Sequence, residues 1–430
     1  MPGAEAHRLV SEFEHLLRTR GCPVCAYVAE SERSFWSWFE IESFSAVEMH
    51  ARLRTGVGMC PAHLRTLIDQ VGGGHIMTTV VREALAGARQ LVRGELQAGA
   101  CPACEALGSA VARATQLVAD GLLDQSTARR YRDHGGMCLP HALDAVRSAD
   151  RAAVIPVAER LLAGLTDEDR PATVEALAGR DPDAVRRAGW RERLPRTPGA
   201  GSTLERLCAR LEIEACPVCL AAGLADSRFL EWFVERRAHD DGSLATDPGE
   251  FCAAHLHDLA LIDARAVSLP VQRKRAARSA ELRRFVDRLA QAPPVPRRGR
   301  RAVDDLARWT AELVAERHCP ACNARAGVER SQLELLGASL SLPAVRECYE
   351  RSHGLCVRHV QAVTGESSVR VVRRQLDARL AVLAWEVGET ARKYGWAYRH
   401  EHGGPEQDAW ARSLAQLDGR VFEGGPARCG

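Results

Sequence analysis

Apolar residues recur at helical spacing along much of this chain. Leu9, Val10, Phe13, Leu16 and Leu17 share one face of a helix expected over residues 5–20, which Gly21 stops. Similar apolar stripes lie further on, carried by Val92 and Leu96, by Leu204, Leu207 and Leu211, and by Leu306, Trp309 and Leu313. Alternating runs bounded by turn pairs such as Asn-Gly are missing, and β-branched clusters are few. The pattern predicts an all-α protein.

Each stripe runs into the same tetrapeptide, Cys-Pro-x-Cys. It stands at Cys22–Cys25, Cys101–Cys104, Cys216–Cys219 and Cys319–Cys322. Each copy is answered downstream by Cys-x-x-His: Cys60/His63, Cys138/His141, Cys252/His255 and Cys356/His359. The gaps from second to third Cys are 34, 33, 32 and 33 residues. Pro23, Pro102, Pro217 and Pro320 suit the first turn of a helix, where a missing N–H costs nothing. The expected unit is helix, CPxC, helical hairpin, CxxH, helix, repeated four times in tandem.

The copies fall into two kinds. Phe35, Trp38 and Phe39 follow Cys25 at the offsets with which Phe229, Trp232 and Phe233 follow Cys219. In the other two copies Leu117 and Val118 correspond to Leu335 and Leu336, Tyr131 to Tyr349, and Gly136 to Gly354. The order A-B-A-B predicts a duplicated pair and two pseudo-symmetric halves. The stretch LPRTPGAGSTL at 193–203 reads as a linker, so the expected division is 1–195, a linker at 196–203, and 204–430. A second Pro/Arg-rich break at 291–301 reads as an exposed loop, and the tail from Gly424 as frayed.

Composition narrows the class without naming it. The 430 residues are 46% hydrophobic and 27% charged, ordinary for a globular protein of more than one domain, and the net charge of +2 exerts no global pull on nucleic acid. Lys occurs only at Lys274 and Lys393, so abundant Arg reflects a GC-rich, bacterial type of coding bias rather than selection for guanidinium forks. No apolar run is long enough to span a membrane, and the first residues lack an export signal. The expectation is a cytoplasmic protein whose cysteines stay reduced, which favours metal over disulfides.

Three thiolates and one imidazole close a tetrahedron around structural zinc and leave no position open for substrate. All sixteen motif residues are therefore candidate ligands of four Cys3His zinc sites, with no catalytic role. Each site would tie two helix N-termini together, whose partial positive charge suits a net −1 centre. An iron–sulfur cluster is the alternative occupant, and thiol–disulfide chemistry a third reading, although no strand precedes any CPxC as in a thioredoxin-like unit. The simplest pairing joins each CPxC to its own CxxH. A cross-brace between neighbouring copies is the rival that spacing leaves open.

Other residues have plainer readings beside the functional ones. His134 and His353 could support the ligands but read more simply as loop histidines. Trp36, Trp38 and Trp232 could stack on bases but sit at core spacing. Cys208 and Cys348 read as small hydrophobes on helix faces, and Cys429 as a reactive tail thiol. Residues 272–301 hold eleven Arg or Lys against Glu281 and Asp287, a possible phosphate-binding segment or a solvated face. No GxSxG, HExxH or phosphate loop occurs.

The GMCLPH and GLCVRH segments, with the C-terminal run KYGWAYRHEHGGPEQDAWARSLAQLDG, resemble an uncharacterised bacterial family of helical proteins bearing CPxC…G-[FLM]-C-x-x-H. The resemblance covers most of 203–430, with a degenerate copy in 1–150, and EFCAAH departs from it. It implies metal-bound helical structure and no activity. The expectation is a structural zinc scaffold acting by protein–protein contact. The alternatives are a nucleic-acid-binding regulator using 272–301, or a thiol/metal redox sensor or electron carrier.

Overall fold

The computed structural model describes residues 11–18, 21–71, 74–122, 124–134, 136–148, 151–166, 173–181, 184–192, 194, 202–238, 250–291, 307–313 and 318–419. Leu9, Val10, Leu306, most of the 193–203 linker, residues 292–301 with Arg297 and Arg298, and the tail with Cys429 lie outside them. The described residues form helices, turns and bends, and no strand occurs among them. The all-α expectation holds.

Each CPxC proline begins a helix: Pro23–Trp38, Pro102–Gly121, Pro217–Ala238 and Pro320–Ser339. Each third cysteine likewise precedes one: Pro61–Val71, Leu139–Ser148, Ala253–Ile262 and Val357–Ala362. Cys252 and Cys356 hold the N-cap position of their helices. The ligand motifs thus lie where unpaired backbone N–H groups concentrate positive potential.

The chain divides into two compact units, each built from three segments. One holds residues 1–33, 107–190 and 229–323; the other holds 34–106, 191–228 and 324–430. These differ from the linear halves 1–195 and 204–430, because each unit draws on both. Each unit has a core of its own. In the first, Ser268–Gln291 and Leu139–Ser148 pack on Arg151–Thr166, around Phe13, Val118, Tyr131, Val154, Leu256 and Leu282. In the second, Glu366–Tyr394 lies along His75–Arg93, which also packs on Val47–Thr55 and Ala409–Asp418. Leu85, Val80, Leu376 and Leu380 are fully buried there. Gly87 permits this approach, since a Cβ would stand 1.9 Å from the Arg54 carbonyl oxygen. Arg54 then reaches over to donate to the buried Glu83 carboxylate at 2.6 Å.

Burial sorts the aromatic candidates. Trp36 is buried among Phe35 and Phe39, whereas Trp38 and Trp232 are each 44% exposed. Much of the basic stretch is engaged inside its unit. Arg278 is buried and pairs with Glu250 and Glu281, Lys274 donates to the Phe251 carbonyl, and Arg288 pairs with Glu312. Arg283 and Arg284 are exposed.

Candidate metal centres

The sixteen motif residues gather into four sets of three thiols and one imidazole, the donor atoms of each set lying within 4.8 Å of one another. The sets are Cys22, Cys25, Cys138 and His141; Cys60, His63, Cys101 and Cys104; Cys216, Cys219, Cys356 and His359; and Cys252, His255, Cys319 and Cys322. Local pairing is therefore corrected to a cross-brace. The first copy's CPxC meets the second copy's CxxH, and the second copy's CPxC meets the first copy's CxxH. Copies three and four repeat the exchange.

Unequal helix lengths explain the exchange. The outgoing arm Pro23–Trp38 has 16 residues and continues as a π-helical turn of five, Phe39–Ser43, while the return arm Val47–Thr55 has nine. At 1.5 Å per residue that is about 30 Å out and about 13 Å back. Copies two and four repeat the mismatch, with 20 residues out and 10 or nine back. The two motifs of one copy consequently belong to different units, and each unit closes its two sets with motifs from neighbouring copies.

The donor geometry fits a single tetrahedral ion. A Zn–S bond of about 2.3 Å implies S···S edges near 3.8 Å, and Zn–N of about 2.0 Å implies S···N edges near 3.5 Å. The observed S···S edges include Cys25–Cys138 at 3.8 Å, Cys104–Cys60 at 3.5 Å, Cys219–Cys356 at 3.9 Å and Cys252–Cys322 at 3.8 Å. In every set it is Nδ1 that faces the sulfurs. His141 stands 3.3–3.5 Å from its three, and His359 3.3–3.4 Å from its three. His63 lies 3.3 Å from Cys60 and Cys104, and His255 lies 3.2 Å from Cys252 and 3.3 Å from Cys319.

The electrostatics point the same way. Hydrogen bonds from Cys138 and Cys22 hold the Cys25 thiol far below its ordinary pKa, while Cys22, Cys25 and burial push Cys138 far above it. Cys60 and Cys252 are each pushed up to about 11, by Cys101 and Cys319 respectively, with burial adding to the shift. Burial lowers His141, but its hydrogen bonds to Cys22 and Cys25 outweigh that and carry it to about 10. Three crowded sulfurs cannot all ionise unless a cation sits among them.

The sets differ in exposure. In two of them no ligand is exposed; in the other two, Cys104 and Cys322, the second cysteines of CPAC, are exposed. The two enclosed sets also share a lid that the motifs do not announce. Gly179 follows the helix Val174–Ala178, and Gly419 follows Ala409–Asp418; both have positive φ and lie against thiols. A Cβ on Gly419 would stand 2.4 Å from Cys219 Sγ and 2.8 Å from Cys356 Sγ. The Arg180 backbone adds to the lowering of the Cys25 thiol, and Gln416 Nε2 donates to the Leu355 carbonyl at 2.8 Å, pinning the lid beside Cys356. A shared Gly-Arg, at 179–180 and 419–420, is the only sequence sign of this lid.

Tyr349, fully buried, accepts the Leu355 N–H at 3.2 Å and so shapes the loop before Cys356; Tyr131 is equally buried seven residues before Cys138. His134 and His353 lie outside all four sets, each lining a cavity beside an enclosed one. Cys208 and Cys348 lie outside the sets too. No helix among the described residues is long and apolar enough to cross a membrane. No protein-family description, curated protein or solved structure matches the chain.

Proposed function

We propose that this protein is a structural zinc scaffold, in which four Cys3His sites cross-brace neighbouring helical repeats and the assembled surface acts by protein–protein contact. The observation that carries the reading is the convergence of four complete donor sets with edges near those of a tetrahedral zinc ion. Cys22, Cys25, Cys138 and His141 hold one ion, Cys60, His63, Cys101 and Cys104 a second, Cys216, Cys219, Cys356 and His359 a third, and Cys252, His255, Cys319 and Cys322 a fourth. With four protein donors each, these centres have no place for water or substrate, and they hold shape rather than do chemistry. The short edges favour one ion over an iron–sulfur cluster, whose several metals spread their ligands further apart.

Contact with a protein partner is supported by the aromatic groups exposed around the end of the helix Glu366–Tyr394: Trp385 is 66% and Trp396 77% exposed. Aromatic groups of this size carry much of the energy of protein interfaces. The nucleic-acid reading draws less support, since Lys274, Arg278 and Arg288 have partners within their own unit. The resemblance to helical CPxC proteins agrees with the scaffold reading and belongs to the same proposal. Elemental analysis of the purified full chain tests it: four zinc per chain is the expected result. A visible absorption band with iron, or metal content near zero, overturns it.

A further inference from the structure

The helices that lead into the third donor set each carry one more cysteine. Cys208 lies on Thr203–Leu211, eight residues before Cys216, and Cys348 lies on Pro343–Arg351, eight residues before Cys356. The two helices pack on each other, and both half-buried thiols line one cavity of about 850 Å³ that also exposes His353, Arg379 and Arg412. Each thiol faces the same cavity from one of the two packed helices. The equivalent positions in the other unit are in contact. Eight residues before Cys22 stands Glu14, eight before Cys138 stands Arg130, and Arg130 Nη1 donates to Glu14 Oε1 at 2.5 Å. The same two positions thus hold an ion pair in one unit and two cysteines in the other.

We propose that Cys208 and Cys348 form an oxidisable dithiol site, closed to an intramolecular disulfide by hydroperoxides, which staples the two helices feeding the third donor set. The chemistry balances. One thiolate attacks the peroxide and becomes a sulfenic acid with release of water. The second thiol displaces the sulfenic oxygen as a second water. Two thiols and one hydrogen peroxide thus give one S–S bond and two waters, the sulfurs losing two electrons and the peroxide gaining two. Burial and the neighbouring Cys348 raise the Cys208 thiol, so the reaction quickens as the solution is made alkaline. The proposal does not depend on what the donor sets hold.

The test treats the purified full chain with a few equivalents of hydrogen peroxide at mildly alkaline pH, alkylates the remaining thiols after unfolding, and maps the peptides by mass spectrometry. The expected product joins the peptides of Cys208 and Cys348, two hydrogens lighter, with the metal content unchanged. In Cys208→Ser a sulfenic acid at Cys348 becomes trappable by a dimedone-type probe, and Cys348→Ser does the converse. Full alkylation of both residues after oxidation overturns the proposal, as does their separate modification without a link. The unmutated protein alone decides the question if a serine variant fails to fold.

Discussion

Replacing Gly419 by Ala separates a requirement for backbone conformation from a requirement for space over the thiols. Gly419 has φ +78°, in the left-handed region, where an L-residue costs about 1–2 kcal/mol. Gly94 is the control. It has φ +77° and ψ 17° in the same left-handed region, and nothing lies within 4 Å of the position a Cβ would take. At Gly419 the new methyl would stand 2.4 Å from Cys219 Sγ and 2.8 Å from Cys356 Sγ, both well inside the 3.4 Å at which ordinary contact begins. Relief by displacing backbone or thiols adds about 1–3 kcal/mol of overpacking, and moving either sulfur spoils the tetrahedron. Binding in such sites is worth about 10–16 kcal/mol of folding energy, so the variant refolds around a damaged centre only poorly. Urea unfolding and elemental analysis, run side by side, read both effects. Gly94→Ala should keep four zinc and lose about 1–2 kcal/mol. Gly419→Ala should lose clearly more stability and about one zinc per chain. Equal losses in the two variants, with four zinc retained in both, would refute the claim that Gly419 covers the third donor set.

The cross-brace predicts which double variants are additive: Cys25→Ser with His141→Ala should lose one zinc per chain, and Cys25→Ser with His63→Ala should lose two. One lost in the second case would restore local pairing. Exposure of Cys104 and Cys322 predicts two-phase release to a chromogenic chelator, two ions fast and two slow, and a single phase for all four would contradict it. Asp377 tests the helix pair of the second core. Burial raises its carboxyl, but hydrogen bonds from Arg93 and Arg89 outweigh this and hold it below the usual range. A depressed folded pKa means that the contribution is present above the unfolded value and fades as pH falls through the folded one. Asp377→Asn should therefore lower stability at neutral pH, with the difference shrinking below about pH 4; a difference independent of pH would show the ion pair to be immaterial.

Helical class and ligand identity could be read directly from the residues. The 3.6-residue spacing of Leu207 and Leu211, or of Leu376 and Leu380, is local information, and both pairs are buried in the second core. The sixteen Cys and His residues declare themselves by type and by repetition. Pairing could not be read the same way, because it turns on where helices end. Nothing in the spacing of Cys25 and Cys60 reveals a 16-residue helix prolonged by a π turn and answered by only nine residues. Helix ends depend on tertiary contacts as much as on local signals.

The amino-acid sequence by itself determined that this chain is helical and that it carries four thiol–imidazole donor sets, since periodicity and donor chemistry are properties of neighbouring residues. Only the tertiary structure decided which donors meet, that each compact unit draws on both halves, and that Gly179, Gly419, Cys208 and Cys348 stand beside them. Such neighbours are far apart along the chain, and their proximity follows from arm lengths and packing that no local pattern encodes.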